Sequence, residues 1–101
     1  MAILLDEIHP GDILLEDFTK PMGISARQLA SDIAVPPRRI SELVNGQRPI
    51  TTDTALRLGL FFGVEPRFWL NLQSEYDMRI ADRQLRAKIA RRIRVFHPAA
   101  A

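Results

Sequence analysis

An all-α fold is what this 101-residue sequence predicts, on three observations. Apolar residues recur at i, i+3 and i+4 along most of the chain, the spacing of one helix face. The seven prolines fall near expected helix starts or ends. β-Branched residues are scattered thinly instead of alternating with polar ones. A chain of this length builds one core, not two. The absence of cysteine excludes disulfides and thiolate metal sites and fits a reducing, cytoplasmic setting. No apolar run approaches the ~18–20 residues of a membrane span. The opening Met1-Ala-Ile-Leu-Leu-Asp-Glu7 runs into acids after three large apolar residues, which is no secretion signal.

The first helix is expected over Asp12 to Phe18, with His9 as a cap residue, Pro10 at a first helical position and Pro21 to Gly23 as the stop. Ser25 opens the second as N-cap, and Leu29, Ala30 and Ile33 form its inner face. Ala30 is small where another helix must cross. Ala34-Val35 makes a tight turn, and Pro36 and Pro37 suit the first turn of the third helix, whose N–H groups have no intrahelical partner. Ile40, Leu43 and Val44 face inward there, and Gly46 ends the helix at C′. Thr51 caps the fourth helix, Asp53 meets its positive end, Ala55, Leu58 and Phe62 line its inner side, and Gly63 ends it.

Pro66 opens the fifth helix, whose Phe68, Trp69, Leu72 and Tyr76 share one face and read as core. From Asp77 to about Val95 the tail is expected to continue as an amphipathic helix, with Ala81, Leu85, Ile89 and Ile93 at i, i+4 steps. So narrow an apolar line suits packing along the domain or, better, against a second copy. The closing His97-Pro-Ala-Ala-Ala101 is expected to lack fixed structure. The chain thus divides into a helical domain, residues 1–78, and a basic C-terminal extension, residues 79–101.

Residues 25–46 carry the functional signal. Two short helices joined by a tight turn, the second with a polar, arginine-bearing outer face, are how a helix-turn-helix presents a recognition helix to the major groove of DNA. With Ile40, Leu43 and Val44 inward, Arg38, Arg39, Ser41, Glu42 and Asn45 point outward or sideways, and Arg48 follows in a loop. The plain alternative is an amphipathic helix pair whose polar face meets only water. The short, basic outer face favours DNA.

Net charge is +2 but unevenly placed. Residues 1–78 hold seven Lys/Arg against eleven Asp/Glu, a balance of −4, and residues 79–101 hold seven against one, a balance of +6. Such asymmetry suits an anionic partner for the tail, or pairing with the acidic front of the chain or of a second copy. Catalysis is not expected. The two histidines, His9 and His97, have no metal-ligand spacing, Ser25 and Ser41 lack a nearby base, and no glycine-rich phosphate loop is present. No cofactor is called for.

His9-Pro10-Gly11-Asp12-Ile13-Leu14, Val35-Pro36-Pro37-Arg38-Arg39-Ile40-Ser41, Asn45-Gly46, Ile50-Thr51, Asp53-Thr54-Ala55-Leu56-Arg57-Leu58 and Phe68-Trp69-Leu70-Asn71-Leu72-Gln73, in this order, resemble the HigA family of bacterial antitoxins. That family is of the XRE, lambda-repressor-like, helix-turn-helix class. The resemblance implies a five-helix DNA-binding core plus a C-terminal helix, a homodimer on double-stranded palindromic operator DNA, and repression of its own operon. It also implies a HigB-type toxin as partner, an mRNA endonuclease held in check by the antitoxin. A stand-alone helix-turn-helix regulator without a toxin is the alternative. By charge, the acidic Asp6, Glu7, Asp12, Glu16 and Asp17 would meet a basic ribonuclease; as a solvated acidic face they would meet nothing.

This sequence departs from the family pattern at three positions. Ala26 stands where many members carry a phosphate-touching Gln, Ala34 replaces the usual turn glycine, and Glu65 replaces a Ser or Thr cap. Arg38 and Ser41 are best placed for base edges, Arg39 and Asn45 for base or phosphate, and Pro37 for a thymine methyl. Arg27, Gln28, Arg48 and Thr51 flank the groove as phosphate contacts, which position without reading sequence. One domain offers few contacts, so a dimer is expected on half-sites ~34–36 Å apart.

Overall fold

A computed structural model describes residues 8–99, and six helices account for its regular structure. Helix α1 consists of Pro10–Ile13, a π-helical stretch Leu14–Thr19 and a last α turn Lys20–Met22. It is followed by α2 (Ala26–Asp32), α3 (Pro37–Val44), α4 (Thr52–Phe62), α5 (Pro66–Gln84) and α6 (Arg86–Ala90). Among the described residues there are no strands. The expectations placed on Met1 to Glu7, Ala100 and Ala101 lie outside the described residues.

Helix α1 is longer than the Asp12–Phe18 expected of it. His9 caps it as foreseen: its Nδ1 accepts the Gly11 N–H at 2.9 Å, while the Asp12 carboxylate accepts the His9 N–H at 3.2 Å. The widened π stretch ends two residues before Pro21 and contains Asp17, whose carbonyl, four residues back, the proline ring would meet in a regular α-helix. Gly11 is where α1 meets α3. A Cβ there would overlap the Leu43 carbonyl, so only a glycine lets the two backbones touch.

Leu14, Leu29, Ala30, Ile40, Leu43, Ala55, Leu58 and Trp69 are fully buried, joined by Ile33, Val35 and Ile50. Full burial of a large apolar side chain contributes roughly 1.5–3 kcal/mol. Helix α2 packs on α3, α4 on α5, and α1 bridges α3 and α5. Phe18 links the helices through rings, 4.9 Å from Phe62 and 4.8 Å from Trp69 between centroids. Phe68, expected in the core, lies at the rim of this cluster, 36% exposed and stacked edge-on against Trp69. Leu72 and Tyr76 are half-buried, and Tyr76 meets the His9 ring at 4.9 Å.

The chain continues as helix past Asp77, as expected. Helix α5 runs on from Pro66 through residue 78 to Gln84, bends at Leu85 and resumes as α6, which stops at Ala90 short of the expected Val95. Beyond the first part of α5 the chain leaves the core. The radius of gyration, 17.5 Å, exceeds the ~13 Å of a compact domain this long. Of the two packings open to the tail stripe, the one along the domain is not what the structure shows. Leu85, Ile89 and Ile93 are 45–58% exposed.

Candidate nucleic-acid interface

The helix pair of residues 25–46 forms as its sequence requires. The Ser25 hydroxyl accepts the Gln28 N–H at 3.0 Å, capping α2. Ala34 then turns the chain with φ +59°, a left-handed conformation that L-residues avoid and glycine adopts freely. This answers the departure at that position: alanine keeps the turn in place, under strain. Val35 returns its N–H to the Ala30 carbonyl at 2.9 Å and drops its side chain into the core. Pro36 sits at the N-cap of α3 with Pro37 as first helical residue. At the far end Gly46 takes φ +73°, and the Gln47 N–H reaches back to the Glu42 carbonyl at 2.8 Å.

Ile40 and Leu43 root α3 in the core, with Val44 half-buried. Pro37, Arg38, Ser41 and Asn45 are left exposed on one side. At 1.5 Å per residue the eight residues of α3 extend about 12 Å, comparable to the width of a major groove. The Ser41 hydroxyl has only long contacts to the Pro37 and Arg38 carbonyls, at 3.5 and 3.4 Å. Asn45 is the C-cap residue.

The arginines are held by carboxylates. Glu42 accepts the Arg38 Nε at 2.9 Å on one oxygen, and the Arg48 Nε and Nη2 at 3.1 and 2.8 Å on the other. Those bonds, from Arg48 first and then Arg38, hold the Glu42 carboxyl below its usual value. Arg39 is partly covered, and its Nη1 lies 2.8 Å from an Asp53 oxygen that also accepts the Arg57 Nε at 2.9 Å. Hydrogen bonding from Arg57, with a smaller part from Arg39, holds Asp53 low in turn. Both carboxylates are therefore ionised at neutral pH, and each is shared by two cations.

Around this face, Arg27 is exposed on α2, and the exposed Gln28 donates to both Asp32 oxygens at 2.9 Å. Thr51 is exposed, but its hydroxyl accepts the Thr54 N–H at 3.3 Å, which caps α4 as foreseen. Glu65 makes no side-chain cap for α5, in keeping with the third departure.

Two residues escaped the sequence reading. Gln73, buried, accepts the Ile50 N–H at 2.8 Å and donates to Asp77 at 2.9 Å, tying the Arg48 loop to α5. Arg57 donates from Nη1 to the Ile33 and Ala34 carbonyls at 2.8 and 3.1 Å. Both stand in motifs that carry the family resemblance, but neither contact has a local signal, since the partners lie more than twenty residues apart in the chain. Of the acids set aside for a basic partner, Asp12 is committed to the α1 cap and Glu16 pairs with Lys20 at 3.0 Å. Among the described residues no three His, Asp or Glu side chains gather as a metal site requires, and no helix is long and apolar enough to cross a membrane.

The chain matches the Helix-turn-helix family over residues 16–69. Virulence-associated protein I of Dichelobacter nodosus is 53% identical over 75 residues, covering 74% of this chain and 69% of that protein. Among solved structures, an addiction module antidote protein of the HigA family from Coxiella burnetii shares 46% identity. It superposes with a TM-score of 0.82 over 88% of this chain and 97% of that one. The Pseudomonas aeruginosa antitoxin HigA, solved with the higBA promoter, shares 37% identity and a TM-score of 0.85 over 89% and 98%.

Proposed function

Because this chain belongs to the HigA family of helix-turn-helix proteins, we propose that it is an operator-binding antitoxin. It binds palindromic DNA as a homodimer, represses its own operon and neutralises a HigB-type mRNA endonuclease. The exposed row Pro37, Arg38, Ser41 and Asn45 on a helix rooted by Ile40 and Leu43 carries the DNA-binding part. The solved HigA of P. aeruginosa on promoter DNA, 37% identical, supports the same reading. The toxin is supported by what those relatives are.

In this reading α3 enters the major groove. Arg38 and Ser41 address base edges, Arg39 and Asn45 a base or phosphate, and Pro37 a thymine methyl. Arg27, Gln28, Arg48 and Thr51 meet phosphates on either side. Residues 1–78 are the DNA-binding unit. Residues 79–101 form the extension whose exposed Leu85, Ile89 and Ile93 supply the dimer contact. Dimer symmetry then sets half-sites about one helical turn apart, ~34–36 Å.

Titration of the chain with the DNA upstream of its own gene, and with random DNA, over a range of salt tests the first half. Arg38→Ala relaxes preference at one base pair; Arg48→Ala weakens every sequence and flattens the salt slope. Equal losses on operator and random DNA for Arg38→Ala sink the base-reading assignment. Co-expression with a small ribonuclease encoded beside it tests the second half. Rescue of growth establishes the antitoxin, and operator binding without rescue leaves a stand-alone regulator.

A further inference from the structure

The turn of the helix-turn-helix contains a conformation its own residue resists. Ala34 sits at φ +59°, exposed to solvent, with nothing in its own side chain to hold it there. Besides the Ala34 and Val35 N–H groups bonded back to Ser31 and Ala30, a side chain of α4 holds it. One nitrogen of Arg57, Nη1, donates to the carbonyls on both sides of the Ala34 Cα, Ile33 at 2.8 Å and Ala34 at 3.1 Å. The Nε of the same guanidinium donates to Asp53 at 2.9 Å, and that Asp53 oxygen also receives Arg39 of α3 at 2.8 Å. A single planar fork thus spans the turn before the recognition helix and, through one carboxylate, a side chain on it.

We infer that Arg57 is a positioning residue for operator reading. It locks the left-handed turn at Ala34, which sets how α3 projects from α2, and through Asp53 it orients Arg39. Arg57 itself need not touch DNA. The guanidinium geometry is essential: a lysine keeps the charge, and so the general attraction to phosphate, but cannot bridge two carbonyls and a carboxylate in one plane. The inference rests on the DNA-binding reading for its functional half and on the turn geometry alone for its structural half.

Four full-length proteins decide it: wild type, Arg57→Lys, Ala34→Gly and the double variant. With the DNA upstream of the gene and random DNA as probes at fixed salt, Arg57→Lys is expected to lower the operator-to-random affinity ratio by about tenfold, the scale of one lost base contact. Its random-DNA affinity stays unchanged. Glycine adopts the turn without help, so Ala34→Gly should raise the thermal midpoint more in the Arg57→Lys background than in wild type, and restore much of the lost ratio. An unchanged ratio in Arg57→Lys overturns the positioning role. An equal midpoint shift in both backgrounds overturns the lock on the turn. If wild type itself shows no operator preference, the DNA-binding reading fails with the positioning role. The melting cycle, which contains no DNA, still decides the lock.

Discussion

The front of the molecule and its tail use apolar residues in opposite ways. From Leu14 to Trp69 most large side chains enter one core, Met22, Leu56 and Leu60 being the main exceptions, and the outer face of α3 is polar and tied together by shared carboxylates. Past Gln73 the burial stops. Met78, Leu85, Ile89, Ile93, Val95 and Phe96 lie exposed, and most of them line an open groove of about 400 Å³ with Ala81 and Ala90. The front covers most of its own apolar surface, whereas along the tail the apolar stripe is left uncovered by this chain. A contiguous exposed apolar patch of this kind is a mark of association. Stability and assembly are therefore expected to separate on mutation.

The largest effect belongs to the front. Trp69→Ala removes the largest fully buried side chain, whose ring contacts Phe18, Phe62 and Phe68, and is expected to cost about 3–5 kcal/mol. Loss of most of the folded signal in a thermal melt followed by circular dichroism is the check. A change below about 1 kcal/mol would place the core elsewhere. Gln73→Leu comes next. It leaves the Ile50 N–H without its acceptor, at a cost of about 1–3 kcal/mol in urea unfolding, and loosens the loop that carries Arg48.

A pH effect follows from His9. Burial pushes its pKa below 6.5, outweighing the pull of Asp12 and Asp77 in the other direction. A lowered folded pKa means that protonation favours the unfolded chain. The contribution is complete above pH 6.5 and lost as pH falls below it, when Nδ1 can no longer accept the Gly11 N–H. The thermal midpoint should fall between pH 7.5 and 5.5 in the wild type and far less in His9→Asn, whose side-chain oxygen still caps. The same slope in both proteins would rule His9 out as its source.

The smallest effect on folding is expected in the tail, and it sharpens the contrast most. Ile89→Asp should move the midpoint of a dilute sample by less than about 0.5 kcal/mol, as exposed positions do. In the proposed dimer the same change abolishes association, which sedimentation at rising concentration reads directly. A large loss of stability at high dilution would show that the stripe belongs to the core after all.

What could be read in the sequence follows the same division. Caps are local: His9, Ser25 and Thr51 meet N–H groups two or three residues on, so their residue types announced them. Inner faces such as Leu29, Ala30 and Ile33, or Ile40 and Leu43, were legible because helical period and burial coincide. Phe68 was misplaced because its period matches Trp69 and Leu72 while its ring reaches only the edge of the cluster. The continuation of α5 past Asp77 was legible because neither Gly nor Pro stands there to stop a helix, whereas its end at Leu85 has no such marker. At the candidate interface the exposed row of α3 was legible from spacing. Arg57 was not, because its role depends on how α4 crosses a turn formed some twenty residues earlier.

Glu42 and Asp53 have a thermodynamic consequence of their own. Arg38, Arg39, Arg48 and Arg57 already possess, in these two carboxylates, built-in counterions that no dilution removes. When a polyanion approaches, part of the charge it meets is thus balanced by the protein and not by mobile salt. Fewer ions are set free than the arginines alone would suggest, and each such arginine should add less than the ~0.9 per phosphate expected of a bare cation to the dependence on log salt. In exchange, the long side chains arrive already ordered, with much of their rotational freedom surrendered at folding and not at binding.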